Sequence, residues 1–208
     1  MKNKITLLND DCMNIIPDIE DNYFDLAVVD PPYGLREFSK NPEQGTGKLK
    51  SRIFQEMDKN RWDVAPDRSY FEELIRVSKH QIIWGGNYFD LPPTRGIICW
   101  DKQQPFPNFS AWEFAWTSFN KPAKIFRLPN NQRNKIHPTE KPLKLYKWLL
   151  SSYTEKGYKI LDTHLGSGNI AIACYLFGCD LLATEINPDY YQKAYTNFKE
   201  ATKQINIF

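Results

Sequence analysis

Leu26-Ala27-Val28-Val29-Asp30-Pro31-Pro32-Tyr33 is the stretch on which the reading of this 208-residue chain turns. An unbroken apolar run closed by a turn signal describes a strand buried on both faces, as in the middle of a parallel sheet. Asp30, Pro31, Pro32 and Tyr33 then stand at the carboxyl end of that strand, which in open α/β sheets is where ligands bind. Successive prolines fix φ and delete amide donors, so the backbone is stiff and its carbonyls are left to accept hydrogen bonds. A carboxylate, carbonyls and a flat ring together suit a planar ligand that carries an exocyclic amino group. The same residues also read as a plain turn, with Tyr33 in the core and Asp30 as a cap. The surrounding sequence favours the site.

Working outward, short apolar runs alternate with helical patterns. Ile5–Leu8, Asp25–Val29, Gln81–Trp84, Gly96–Trp100, Trp112–Trp116, Lys159–Leu161 and Leu181–Thr184 read as strands. Ser69-Tyr70-Phe71-Glu72 reads as a capping box opening a helix with Phe71, Leu74, Ile75 and Ser78 on one face. Pro142 suits the first turn of a helix carrying Leu145, Trp148 and Leu149. Asn187-Pro188 opens a last helix with Tyr191, Ala194, Tyr195 and Phe198 at helical spacing. Strands interleaved with helices predict an α/β fold with a mixed, mostly parallel seven-stranded sheet and helices on both faces. Residues 34–68 are polar and basic with few apolar anchors, and are expected to form a mobile loop insert that orders over substrate. Residues 101–136, with Phe106, Phe109, Trp112, Phe114 and Trp116, are expected to form a small target-recognition region within a single domain spanning 1–208.

Composition narrows the function classes. Hydrophobic residues at 41% and aromatics at 14% can build a core, which argues against disorder. The longest apolar stretch, Ile170–Phe177, is too short to span a bilayer, and Met1–Leu8 is no signal-peptide core. Cys12, Cys99, Cys174 and Cys179 have no CxxC spacing, so neither a metal nor a disulfide framework is expected, and a reducing cytoplasm is the default. The net charge of +2 is unevenly spread: from Thr117 to Lys147 eight Lys or Arg face the single acid Glu140. That basic stretch suggests a polyanion partner.

A second constellation lies far downstream. Lys159-Ile160-Leu161-Asp162-Thr163-His164-Leu165-Gly166-Ser167-Gly168-Asn169 is a strand, a glycine turn and the start of a helix. Gly166 and Gly168 permit close backbone approach. Roughly twenty residues on, another strand ends in Glu185, an acid placed to bond ribose hydroxyls. The full dinucleotide fingerprint is missing, and Asn169 stands where a phosphate-binding lysine would be. A cofactor with ribose but no essential phosphate, such as S-adenosylmethionine, fits better than NAD or ATP.

With these residues in hand, the chain resembles the β-class of S-adenosylmethionine-dependent amino DNA methyltransferases, of the adenine-N6 type. The resemblance covers nearly the whole length, through Asp30–Tyr33, His137-Pro138-Thr139-Glu140-Lys141-Pro142, Leu161–Gly168 and Glu185-Ile186-Asn187-Pro188. Leu8-Asn9-Asp10-Asp11-Cys12 looks like the family's acidic turn beside the cofactor adenine. The catalytic strand precedes the glycine strand, the order of a circularly permuted Rossmann-like methyltransferase fold. One departure stands out: Thr163 and His164 replace the family's Pro and Phe, and His164 is expected to stack on the cofactor as a neutral ring.

The resemblance implies roles residue by residue. Asp30, Pro31, Pro32 and Tyr33 would be catalytic, with the Asp30 carboxylate and Pro31 carbonyl accepting from the target amine and Tyr33 stacking on the base. Asp162, His164, Gly166, Ser167 and Gly168 would hold the methionine and ribose side of the cofactor, Glu185 with Asn187 the ribose, and Asp11 with Cys12 the adenine. Thr139, Glu140 and Lys141 would approach its amino-acid end, beside Asp30. Lys121, Lys124, Arg127, Arg133 and Lys135 would hold DNA phosphates. The implied reaction is methylation of adenine N6 in double-stranded DNA with the base flipped out. Cytosine-N4 methylation, a catalytically inactive DNA-binding relic, and RNA or protein amides as substrate remain open alternatives. A homodimer and a cognate restriction endonuclease are the implied partners.

Overall fold

The computed structural model describes residues 3–35, 63–104, 110–129 and 140–205. Eight strands make one sheet: β1 (Ile5–Leu8), β2 (Leu26–Val29), β3 (Gln81–Trp84), β4 (Gly96–Asp101), β5 (Trp112–Thr117), β6 (Lys124–Arg127), β7 (Lys159–Asp162) and β8 (Asp180–Thr184). Their order is β1-β8-β7-β2-β3-β5-β4-β6. All neighbours are parallel except at β5, which runs against both β3 and β4. The expected seven strands are thus eight. The extra one, Lys124–Arg127, lies in the stretch read as phosphate-binding. It has too few apolar residues to announce itself, and as an edge strand it can leave Lys124 and Arg127 exposed. Strands β5 and β6 are therefore part of the central sheet, although both fall within the region 101–136 expected to read the target.

Period-2 alternation divides the core. Leu26 and Val28 of β2 face one cluster, together with Ile82, Trp84, Ile160 and Leu181, while Ala27, Val29, Ile83 and Leu161 face the other. Helices α2 (Leu143–Tyr153), α3 (Asn169–Phe177) and α4 (Pro188–Ile205) contribute to the first cluster. Helix α1 (Arg68–Val77) covers the second with a short 3-10 turn at Ile16–Asp18. Helix α3 is apolar and buried from Ile170 to Cys174, where it packs on the sheet, α2 and α4.

Asp67, not Ser69, caps α1. Its carboxylate accepts from the Tyr70 amide at 3.2 Å and from the Ser69 hydroxyl at 2.6 Å. The helix thereby buries Tyr70, Phe71, Leu74 and Val77, and leaves Ile75, expected on the buried face, 41% exposed.

The topology creates the site. From β7 the chain passes through α3 to β8 on one side, while β2 is followed by β3 on the other. Strands β7 and β2 are themselves paired, Leu26 with Ile160 and Ala27 with Leu161. Connections leaving two adjacent parallel strands in opposite directions open a crevice at their carboxyl ends. Of the expected mobile insert 34–68, residues 36–62 lie outside the described residues.

Candidate active site

Asp30 to Tyr33 follow β2, and His164 to Gly168 follow β7, so the adjacency of those strands brings the two motifs face to face. Between them is a cavity of about 470 Å³. Its walls include Asp30, Pro31, Pro32 and Tyr33 on one side and His164, Gly166, Ser167, Glu185 and Asn187 on the other, with Glu140 and Lys141 between. That volume falls in the range of sites for small organic ligands.

Tyr33 is fixed from several directions. Its hydroxyl donates to Asp30 Oδ1 at 2.7 Å, and its ring stacks on Tyr88 with centroids 5.0 Å apart. Gly85 packs against the ring so closely that a Cβ there would lie 2.2 Å from Tyr33 Cε1. The Gly34 amide that follows donates to Asp63, a buried acid, at 3.0 Å.

Asp30 is one end of a chain of four alternating charges. Lys141, whose side chain is 1% exposed, contacts Asp30 Oδ2 and lies 3.2 Å from Glu113 Oε2. Glu113 Oε1 in turn pairs with Lys102 Nζ at 2.5 Å. The Lys141 ammonium also sits 5.0 Å from the Trp84 ring centroid, its ring face adding to the electrostatic support. Burial pushes the Asp30 carboxyl above the usual carboxylate range; Lys141 opposes that in part, and the nearby Glu113 charge adds to it. Burial also acts on Glu113, but Lys141 and Lys102 together overcome it and hold that carboxyl low. Burial disfavours the Lys141 ammonium, and the two carboxylates more than offset it. Lys141, expected at the amino-acid end of a cofactor, lines the cavity, and its ammonium pairs with Asp30 and Glu113.

Across the cavity, Glu185 is braced at both oxygens, accepting from the Gly166 and Asn187 amides at 3.0 Å each. Asn187 Oδ1 caps α4 through the Asp189 and Tyr190 amides. Asn169 Nδ2 donates to Glu140 Oε1 and to the Lys141 carbonyl, both at 2.9 Å, tying the Glu140-Lys141 segment to the glycine turn. Burial raises Asp162 to about 8, while its carboxylate accepts from the His164 amide at 2.9 Å. Burial lowers His164 to about 4, so the ring is neutral at physiological pH. Its Nδ1 lies 2.9 Å from Thr163 Oγ1, which lies 2.6 Å from the Tyr70 hydroxyl. The two residues that depart from the family pattern thus form one hydrogen-bonded chain with Tyr70.

A ribose-bearing sulfonium fits these residues. A braced carboxylate faces the cavity from β8, glycine backbone lines it, Ile186 offers an exposed apolar surface at the rim, and a carboxylate with an aromatic ring stands opposite.

The other expected residues are placed as follows. Asp162 and Gly168 support the turn from behind the cavity wall. At Gly168, with φ +79°, a Cβ would lie 2.9 Å from the Ala194 carbonyl oxygen. Asp11 caps the Cys12–Asn14 turn through the Met13 amide at 2.9 Å, and Cys12 is buried in the second core cluster, its thiol pushed up to about 12 mainly by burial. Neither is part of the cavity wall. Thr139, Arg133 and Lys135 lie outside the described residues. Lys121 and Lys124 do not face the cavity. Their ammonium groups sit 5.1 and 5.2 Å from the ring of Tyr153, the last residue of α2, about 15 Å along that helix from its start beside Lys141. Phe119, under Lys121, stacks on His80, which immediately precedes β3, so this cluster belongs to the amino end of the strands. Their charges find aromatic partners there, away from the cavity. Among the described residues of the expected phosphate-binding row, Arg127 lies at the carboxyl edge, 3.5 Å from Asp101 at the end of β4.

Sequence reasoning missed Glu113, Lys102, Gly85 and Tyr88. An acid within the otherwise apolar run Trp112–Trp116 was the available signal, since a charge in an interior strand calls for a buried partner.

Comparison with known proteins agrees with this architecture. Residues 115–196 match the DNA methylase family N6_N4_Mtase. The Type II methyltransferase M2.MboI of Moraxella bovis is 25% identical over 92% of this chain and 86% of its own length. Among solved structures, the cytosine-N4-specific PvuII DNA methyltransferase superposes with a TM-score of 0.66 at 13% identity, covering 99% of this chain and 93% of that one. The M1.HpyAVI–SAM complex gives a TM-score of 0.57 at 20% identity, over 93% and 98% of the two chains.

Proposed function

We propose that this chain is an S-adenosylmethionine-dependent DNA methyltransferase of the N6/N4 kind and that it methylates the exocyclic N6 amine of adenine in double-stranded DNA, a reading supported by its similarity to the N6_N4_Mtase family and to Type II methyltransferases. The observation that carries the reading is the pairing of β2 with β7, which makes Asp30–Tyr33 and the glycine turn two walls of one cavity.

S-adenosylmethionine, when bound, supplies a methyl group activated by its sulfonium. Glu185, Gly166, Ser167 and His164 would hold it, with Asn187 fixing the Glu185 turn. An aromatic amine is a poor nucleophile because its lone pair is delocalised into the ring. Accepting its hydrogens at the Asp30 carboxylate and the Pro31 carbonyl favours a localised lone pair aimed at the methyl. Tyr33, anchored by Asp30, Tyr88 and Gly85, offers the stacking surface for the base. Orientation and fixed electrostatics then supply most of the acceleration. A base within a duplex cannot reach this crevice, so the target nucleotide is flipped out at a cost of a few kcal/mol, which stacking and phosphate contacts offset.

The Asp-Pro-Pro-Tyr sequence favours adenine. Cytosine-N4 is the second reading, supported by the likeness to the PvuII cytosine-N4 enzyme. Type II methyltransferases among the relatives support a restriction–modification setting with a cognate endonuclease. The test is nucleoside mass spectrometry of DNA incubated with the protein and S-adenosylmethionine. N6-methyladenine is expected; N4-methylcytosine alone transfers the assignment to the second reading, and neither product rejects both.

A further inference from the structure

We infer that Glu113 is a positioning residue for methyl transfer: held by Lys102, it keeps the Lys141 ammonium paired while Asp30 takes up the proton released by the target amine. The inference rests on the proposed role of Asp30 as the amine acceptor.

Charge balance carries the argument. As the amine lone pair forms the new N–CH3 bond, the S–CH3 bond breaks with its electron pair left on sulfur, and the nitrogen becomes cationic. It returns to neutrality by giving one proton to the Asp30 carboxylate, which becomes a neutral acid and later returns that proton to solvent. Lys141 is almost fully enclosed, and a buried ammonium without a counter-ion is strongly unfavourable. If Asp30 were its sole partner, protonating Asp30 would strand that charge, and the pair would resist the step. Glu113 Oε2, 3.2 Å from Lys141 Nζ, supplies the second counter-ion, and Lys102 at 2.5 Å keeps Glu113 ionised. The four groups sum to zero before the proton moves, and at no point is the ammonium unpaired.

The antiparallel course of β5 makes this possible. It brings the beginning of that strand, where Glu113 lies, to the carboxyl edge beside β3, and β4 delivers Lys102 to the same edge. Other ionisable groups surround the pair: Tyr33, Tyr146 of α2, Asp162 at the end of β7, and Glu140. Tyr33 and Tyr146 are held neutral by burial, and Asp162 is largely protonated near neutral pH, whereas Glu113 is held low and lies within ion-pair distance of Lys141.

The test compares wild type, Glu113→Gln, Glu113→Asp, Lys141→Met and the Glu113→Gln/Lys141→Met double variant. Glu113→Gln is expected to bind S-adenosylmethionine within about 3-fold of wild type but to lose roughly 10- to 100-fold in single-turnover transfer, with partial recovery in Glu113→Asp. Because Lys141 then serves Asp30 alone, the acidic limb of the rate–pH curve moves to lower pH. In Lys141→Met, with two neighbouring carboxylates and no cation between them, the limb moves to higher pH. An unmoved limb in Glu113→Gln, or a Glu113→Gln rate loss undiminished in the Lys141→Met background, overturns the inference. A wild-type protein that binds cofactor yet transfers nothing to DNA overturns the functional reading on which it rests.

Discussion

At the scale of single residues, the site is built from groups that ordinary solvent exposure would leave weak. Asp30 is a carboxyl group held in a largely enclosed pocket, and burial raises its affinity for a proton while Lys141 opposes that in part. Asp30→Ala should abolish methyl transfer while cofactor affinity, measured by calorimetry, stays within about 3-fold; a larger loss of binding would falsify the assigned division between the two walls. Gly85 makes a different kind of contribution. Its φ of +69° and its contact with the Tyr33 ring leave no room for a methyl group. Gly85→Ala should therefore displace Tyr33 and lower the transfer rate by roughly 10-fold or more, with cofactor binding unchanged, as read by single-turnover kinetics. These contacts were not visible in the linear order: a glycine after β3 and a tyrosine after β2 meet only once the strands pair.

At the scale of elements, the glycine turn is held by helix packing as much as by its own conformation. Gly168 starts α3 in the left-handed region, at φ +79°, against the backbone of α4. Gly168→Ala should cost about 1–3 kcal/mol, from backbone strain and from pushing α4 away, as measured by urea unfolding. An equal cost at Gly178→Ala, where φ is +91° but only the flexible Lys156 side chain is nearby, would assign the whole effect to strain rather than to helix contact. The helix pattern of α3 and its glycines were legible because propensity and spacing are local. The cap of α1 was misread by two residues, because Ser69 and Asp67 are both good caps, and in the fold Asp67 takes the Tyr70 amide while the Ser69 hydroxyl donates to Asp67. The edge strand β6 escaped notice because pairing with β4, not its own composition, makes it a strand.

At the scale of the whole molecule, pH and salt report on how the parts are arranged. In the folded state burial lowers His164 to about 4, against about 6.5 in the unfolded chain, so the unfolded state takes up the proton first as pH falls. Stability is therefore lost between pH 6.5 and 4, by at most about 3 kcal/mol, and His164→Phe should flatten that limb in denaturant titrations at stepped pH. Asp162, raised to about 8, has the opposite sign: the folded state holds its proton longer, so stability declines as pH rises from about 4 to 8. For DNA binding, Arg127→Ala should reduce the slope of log affinity against log salt by about 0.9, whereas Lys121→Ala and Lys124→Ala should leave it nearly unchanged. Equal effects from all three would place the Lys121–Lys124 cluster on the DNA path after all. The sequence by itself determined the strand–helix alternation, the Asp30–Tyr33 and glycine-turn motifs and their permuted order, because periodicity, prolines and glycines act over a few neighbouring residues. Only the tertiary structure decided that Lys141 serves Asp30, that Glu113 and Lys102 complete its charge chain, and that Lys121 and Lys124 point elsewhere. Buried charges find partners through strand order and burial, and neither is encoded in the spacing of residues along the chain.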